Sequence, residues 1–245
     1  MMEVIDTHAH LNEIADLDGA LERARRAGVG KVVSIGMEID SNLSTLKLAK
    51  RFPETVSPAI GYHPWSIVPD RIDENVAFIE ENLDHCVALG EIGLDYRAKV
   101  KKKVQWDVFF RLLGIAEQVD LPIIIHCRFS HERCHRMTRD AGIKKAVFHW
   151  YSGSLDILEK ILADGYYVSA TPALAYSQQH RLAMENAPLE RILIETDAPV
   201  EYQGKVTEPA DVLTTLNELS RLKRLHSSEV ARITTANARQ LFAIP

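Results

Sequence analysis

Pro122-Ile123-Ile124-Ile125 is an unbroken apolar run that ends abruptly in His126-Cys127-Arg128. It reads as a strand of the kind buried on both faces, which a parallel sheet covered by helices requires. Working outward, strand-like and helix-like runs alternate in both directions. Upstream lie a long helix at 104–119 and a strand at 86–89 that runs into Gly90-Glu91-Ile92-Gly93-Leu94-Asp95-Tyr96. Before them come a helix at 70–83, a strand at 55–60 ending in Gly61-Tyr62-His63-Pro64-Trp65, and a helix opened by Asp40 or Ser41 and stopped by Pro53. A strand at 31–35 precedes that helix, and before it is a helix capped by Asp16 or Asp18 and ended by Gly28. The first strand is Val4-Ile5-Asp6-Thr7-His8-Ala9-His10.

Downstream, a polar helix reaches Ala141 and Gly142 closes it. Strand 145–148 then ends in His149-Trp150-Tyr151-Ser152-Gly153-Ser154. Helix 155–163, strand 166–170, a helix near 176–186 and strand 191–194 follow, the last ending in Glu195-Thr196-Asp197-Ala198-Pro199. Helices at about 209–222 and 227–242 close the chain. Eight βα units without a linker imply parallel strands with right-handed crossovers. In 245 residues they favour a closed (β/α)8 TIM barrel with one extra C-terminal helix, as a single domain over 1–245. No Gly-x-Gly-x-x-Gly follows the first strand, so nothing favours a dinucleotide fold.

Composition narrows the setting. The net charge is −5, which argues against a broad electropositive nucleic-acid surface, so attraction of a polyanion must be local. No apolar run approaches the roughly 18 residues of a membrane span. Met1-Met2-Glu3 lacks the basic and apolar regions of a signal peptide. Cys86, Cys127 and Cys134 form no disulfide framework, so a reducing, cytoplasmic setting is expected.

His8 and His10 are two residues apart on a strand, so they point the same way and can grip one metal. In a barrel of this kind the C-terminal strand ends face the active site. Glu91, His126, His149 and Asp197 all fall there. Each has an ordinary reading alone, as a loop carboxylate, a core histidine or an Asx-turn residue. Six ligand-type residues on one rim are a different matter. Four histidines and two carboxylates suit a pair of divalent ions, with Glu91 bridging and Asp197 both binding an ion and taking a proton from water. Ions about 3.5–4 Å apart can activate a water and stabilise the leaving oxygen of a phosphoester.

Asp6-Thr-His-Ala-His-Leu11, Gly61-Tyr-His-Pro64, Gly90-Glu-Ile-Gly-Leu-Asp-Tyr96, Ile125-His-Cys-Arg128, His149-Trp-Tyr-Ser-Gly-Ser154, Glu195-Thr-Asp-Ala-Pro199 and Thr235-Ala-Asn-Ala-Arg-Gln-Leu-Phe242 together resemble the TatD-type metal-dependent hydrolases, the TatD deoxyribonucleases of the amidohydrolase-like superfamily. The resemblance runs in order along the whole chain. It implies one metal among His8, His10, Glu91 and Asp197 and another among Glu91, His126 and His149. It also implies His63 and Arg128 near the scissile phosphate, and Lys205 as a substrate contact. The implied activity is 3′–5′ exonuclease or phosphodiesterase, with Mg, Mn or Zn and with DNA, single-stranded or at 3′ ends, as substrate. No obligate protein partner is evident.

The departures fall outside the ligands. Cys127 stands where the family usually has Ser, and Trp150-Tyr151 where it has Cys-Phe. The loop Arg97-Ala-Lys-Val-Lys-Lys-Lys103 is more basic, and Gly204-Lys-Val-Thr-Glu-Pro209 has lost one basic residue. Lys99, Lys101, Lys102 and Lys103 read either as a solvated helix start or as a phosphate-holding track. Trp65, Tyr96, Trp150 and Tyr151 read either as packing or as surfaces for base stacking. Cys127, His131, Cys134 and His135 match no common zinc module. A two-metal amidohydrolase acting on an amide, lactone or aminoacyl ester is the alternative enzyme. Many such enzymes bridge their ions with a carboxylated lysine on the fourth strand, where this chain has Glu91. A non-enzymatic barrel would have no need of a complete ligand set.

Overall fold

A computed structural model describes residues 3–245. Met1 and Met2, on which the leader expectation partly rests, lie outside them. Eight parallel strands pair in sequence order: β1 (Val4–Ala9), β2 (Val29–Ile35), β3 (Val56–Ile60), β4 (Ala88–Asp95), β5 (Ile123–Arg128), β6 (Ala146–Phe148), β7 (Tyr167–Ala170) and β8 (Ile192–Ile194). A bridge between Ala9 and Ala198 joins the last strand end to the first. Helices α1 (Leu17–Ala27), α2 (Ile39–Arg51), α3 (Ile72–Asn82), α4 (Lys102–Val119), α5 (His131–Asp140), α6 (Leu155–Ala163), α7 (Gln178–Asn186), α8 (Val212–Lys223) and α9 (Ser227–Phe242) surround them. The fold is the expected (β/α)8 barrel. Among the described residues, no helix is long and apolar enough to cross a membrane.

Caps set the frame. Asp16 accepts from the Gly19 N–H, and Gly28, at φ 93°, ends α1 in the left-handed conformation that glycine tolerates. α2 starts earlier than expected. Glu38 accepts from the Asp40 and Ser41 N–H groups while the Ser41 hydroxyl answers the Glu38 N–H, a reciprocal box that leaves Asp40 inside the helix.

The barrel interior is apolar below and polar above. Ile5, Val33, Ile35, Ala59, Ile124, Val147 and Leu193 form the inner cluster, and Leu241, Phe242 and Ile244, at the chain's end, pack into it. The extra helix α9 therefore plugs the lower mouth. Strict alternation from Ile5 and Ala88 would turn His8 and Glu91 outward. The pairing register shifts between Asp6 and Ala9 and between Leu89 and Ile92, and both side chains end in the buried cluster at the upper mouth. Such irregularities re-aim side chains beside active sites.

Two other differences from the expectation concern strands. β4 does not stop at Leu89, because Gly93, Leu94 and Asp95 pair with His126, Cys127 and Arg128 of a lengthened β5. Gly93 makes this possible. Its φ is 147°, and a Cβ there would lie 2.1 Å from the His126 carbonyl oxygen. The second difference is an antiparallel hairpin, β9 (Glu201–Tyr202) and β10 (Lys205–Val206), whose two turn residues Gln203 and Gly204 both have positive φ.

His180 of α7 is buried and held as a neutral tautomer. Its Nδ1–H donates to the Tyr151 carbonyl at 2.7 Å and its Nε2 accepts from the Thr171 N–H at 3.1 Å. Burial pushes it down to about 4. The unfolded chain therefore binds the extra proton first, and the stability is present above pH 6.5 and lost as pH falls through about 4. Wild type should lose about 2 kcal/mol more than His180→Gln between pH 7 and pH 5. Urea unfolding of both proteins at the two pH values checks this, and equal losses would contradict it.

Candidate metal centre

The upper mouth of the barrel gathers the expected ligands around Glu91. Glu91 is only 2% exposed, and its two carboxylate oxygens divide the cluster. Oε1 is met by His126 Nδ1 at 2.8 Å, His149 Nε2 at 3.0 Å and His63 Nε2 at 3.6 Å. Oε2 is met by His8 Nε2 at 3.4 Å and His10 Nε2 at 3.8 Å. Asp197 Oδ1 lies 3.4 Å from both His8 and His10 Nε2, which are themselves 3.4 Å apart. The two strand ends carrying His8, His10 and Asp197 are locked together at the β1–β8 seam. The Asp197 N–H donates to the His8 carbonyl at 2.8 Å and the His10 N–H to the Ala198 carbonyl at 2.7 Å. Asp6, fully buried, accepts from the Thr196 N–H and hydroxyl at 2.9 and 2.6 Å, and burial raises its carboxyl to about 8. Asp197 itself sits at φ 57°, a conformation that aspartate tolerates better than most residues.

Electrostatics keep the carboxylates ionised. Burial alone would raise Glu91, but the surrounding histidines His149, His63, His8 and His126 hold it well below the usual carboxylate range. Burial likewise opposes ionisation of Asp197, and His10, His8 and His149 outweigh it. Burial and the neighbouring histidines, against the pull of Glu91, push His63 down to about 3. Burial would also lower His10, His126 and His149, but their carboxylate neighbours raise all three.

The donor set fits divalent metal. His126 Nε2 meets Asp95 Oδ2 at 3.1 Å, and His149 Nδ1 meets Glu195 Oε1 at 3.1 Å. Each histidine thus has a carboxylate on both nitrogens. A neutral imidazole donates through one nitrogen only, so donation to Asp95 or Glu195 turns a lone pair toward Glu91. The raised values of His126 and His149 let each histidine donate to both carboxylates when protonated, and a divalent ion bound at Glu91 would take the place of the proton on the nitrogen that faces it. Carboxylate–histidine pairs of this kind orient metal ligands, and imidazole with carboxylate suits first-row divalent ions. His8 and His10 leave their buried Nδ1 atoms without a hydrogen-bond partner. Among the described residues, groups able to hold an ion include His8–His10–Glu91, His63–Glu91–His126 and His8–His149–Glu195.

Asp95 of Gly90-Glu-Ile-Gly-Leu-Asp95 and Glu195 of Glu195-Thr-Asp-Ala-Pro199 are not among the site residues expected from the sequence. The signal that could have found them is position, for each is a carboxylate on a strand end beside a ligand. Glu195 also accepts from the Trp150 N–H at 3.0 Å. Burial opposes ionisation of Asp95, and His126, the Arg97 N–H and Trp65 hold it at about 2. Asp95→Asn should weaken metal binding about ten- to a hundred-fold. Titration of metal-stripped protein measures it, and an unchanged affinity would remove Asp95 as the partner that orients His126.

The cluster opens into a cavity of about 560 Å³ whose wall includes His10, His63, Trp65, Arg128, Trp150 and Tyr176. Arg128 is exposed on that wall. Lys205 is placed elsewhere, on the β9–β10 hairpin and ion-paired to Asp211. Lys99, Lys101, Lys102 and Lys103 are all exposed. Lys102 lies over the Tyr96 ring at 4.1 Å and Lys103 pairs with Asp107. Tyr151 is fully buried and its hydroxyl donates to the Ser154 carbonyl. The Cys127, His131, Cys134 and His135 side chains do not converge as one ligand set. His135 pairs with Asp164 at 2.7 Å, the His131 ring packs edge-on against Tyr151, and the Cys134 thiol faces Ser130 and the His126 carbonyl.

A parallel barrel carrying a buried histidine–carboxylate cluster at its C-terminal mouth defines the class of metal-dependent hydrolases. The family model described as TatD related DNase matches residues 5–243, and the chain belongs to that family. It is 31% identical to the uncharacterized metal-dependent hydrolase YabD of Bacillus subtilis, over 98% of this chain and 99% of that protein. It is 28% identical to the 3′-5′ ssDNA/RNA exonuclease TatD of Edwardsiella piscicida, over 94% of each. The crystal structure of the TatD homologue YjjV of Escherichia coli K12 superposes with a TM-score of 0.93 at 28% identity, covering 100% of this chain and 99% of that one.

Proposed function

We propose that this protein is a phosphodiesterase that shortens DNA from 3′ ends, with two divalent ions, Mg, Mn or Zn, as cofactors. The observation that carries the reading is Glu91, each of whose oxygens faces its own group of histidines. His8, His10, Glu91 and Asp197 would hold one ion; Glu91, His126 and His149 would hold the other. Bound there, the ions supply Lewis acidity toward a phosphoryl oxygen and acidify water.

The protein's own groups supply the rest. Asp197 is ionised and beside the cavity, so it accepts the proton that the attacking water loses. Arg128 offers a planar donor fork to the phosphate. His63, kept neutral, lies 3.6 Å from Glu91 and donates to, or accepts from, the substrate without adding charge. Lys205, off the cavity wall, would meet a longer strand only beyond the reacting linkage. The exposed lysines after β4 attract phosphate locally in a chain whose net charge is −5.

The test is a substrate panel on metal-loaded protein: single-stranded DNA, a lactone, a hydantoin-type amide and an aminoacyl ester. Preferred turnover of DNA supports the reading. Turnover of a lactone, amide or aminoacyl ester, with DNA untouched, would replace it with amidohydrolase-like chemistry.

A further inference from the structure

Trp65 is left 57% exposed on the wall of the cavity that holds the cluster. Its exposure is not looseness. The indole Nε1–H donates at 2.6 Å to Oδ2 of Asp95, the same oxygen that meets His126 Nε2, and Asp95 is fully buried. The indole stands edge-on to His63, with centroids 5.0 Å apart and planes at 85°, and also packs against His126 at 6.0 Å and 67°. One edge is therefore anchored beside the metal centre while more than half of the residue faces solvent. A large aromatic surface held this way gives up little freedom when something covers it.

We infer that Trp65 is a subsite for an unpaired nucleobase, which stacks on the indole next to the linkage being cut. The inference rests on the phosphodiesterase reading and adds what selects the strand. Stacking on an aromatic face tolerates any base, because every base has a π-face. A base inside a duplex has its faces covered by its neighbours and must leave the stack to reach such a ring. The subsite thus favours frayed or single-stranded ends over paired ones. Arg128, exposed on the same cavity wall, provides the charge for the phosphate while Trp65 receives the base.

The experiment compares wild type, Trp65→Ala and Trp65→Phe as metal-loaded proteins. One single strand carries a terminal 2-aminopurine behind a hydrolysis-resistant phosphorothioate, and its fluorescence reports stacking. Matched cleavable strands carry either normal or abasic terminal nucleotides. Wild type should quench the 2-aminopurine, Trp65→Phe should retain most of the quenching, and Trp65→Ala should lose it. Trp65→Ala should also cut the normal strand with kcat/KM about ten- to a hundred-fold below that of Trp65→Phe, mainly through KM, and the two variants, which both lack the indole N–H to Asp95, should cut the abasic strand equally. A deficit of Trp65→Ala against Trp65→Phe that is equal on both strands would overturn the subsite and leave Trp65 as support for Asp95. Unchanged quenching in Trp65→Ala would overturn it as well. Wild type cleaving neither strand would instead sink the phosphodiesterase reading, and the subsite with it.

Discussion

Glu91→Ala should empty the metal centre and abolish turnover while leaving the barrel folded. Glu91 is the carboxylate against which both groups of histidines face, at 2.8–3.8 Å. Without it, His126 and His149 keep their outer partners Asp95 and Glu195 but have no shared anion between them. His8 and His10 keep Asp197. The expected result is loss of tight binding of both ions by elemental analysis. Several kcal/mol of charge stabilisation lost at the transition state corresponds to a fall of about three orders of magnitude or more in rate. The fold should survive, because the apolar inner cluster and the α9 plug lie below the site. Unchanged metal content would remove Glu91 from the bridging position.

The second large effect concerns Asp197. Asp197→Asn keeps the size of the side chain and its oxygen beside His8 and His10, but it cannot take a proton. Turnover should fall by about 10²–10⁴-fold, the contribution of a positioned general base. The melting temperature should hold, since the Asp197 main chain, not its side chain, bonds the His8 carbonyl. Metal content of the variant separates the two jobs assigned to this residue. Ions retained with the rate lost fit a proton acceptor, whereas an intact rate would exclude it.

Much of this was legible in the sequence for a physical reason. Strands buried on both faces are written as short apolar runs, and the residue type changes abruptly where each strand reaches the mouth. Ile123-Ile124-Ile125 followed by His126 shows the pattern, and Ala146-Val147-Phe148 followed by His149 repeats it. What stayed hidden depends on register and on distant pairs. Asp95 meets His126 only because Gly93 lets β4 run on against β5. Glu195 meets His149 from 46 positions away. The inward turn of His8 and Glu91 needs two register shifts that no residue pattern announces. The hairpin at Gln203-Gly204 has strands of two residues each, too short to show a period. The capping box on α2 was present in the letters, with Ser41 three residues after Glu38, but its partners are reversed from the usual order of hydroxyl first and carboxylate second.

The most direct measurement is a time course on an end-labelled short single strand. Metal-stripped protein is resupplied with Mg, Mn or Zn, and Glu91→Ala, prepared identically, guards against a contaminating nuclease. The account predicts stepwise shortening from the 3′ end by wild type alone and only with added metal. Failure to cleave with both ions demonstrably bound, or equal cleavage by Glu91→Ala, would contradict it.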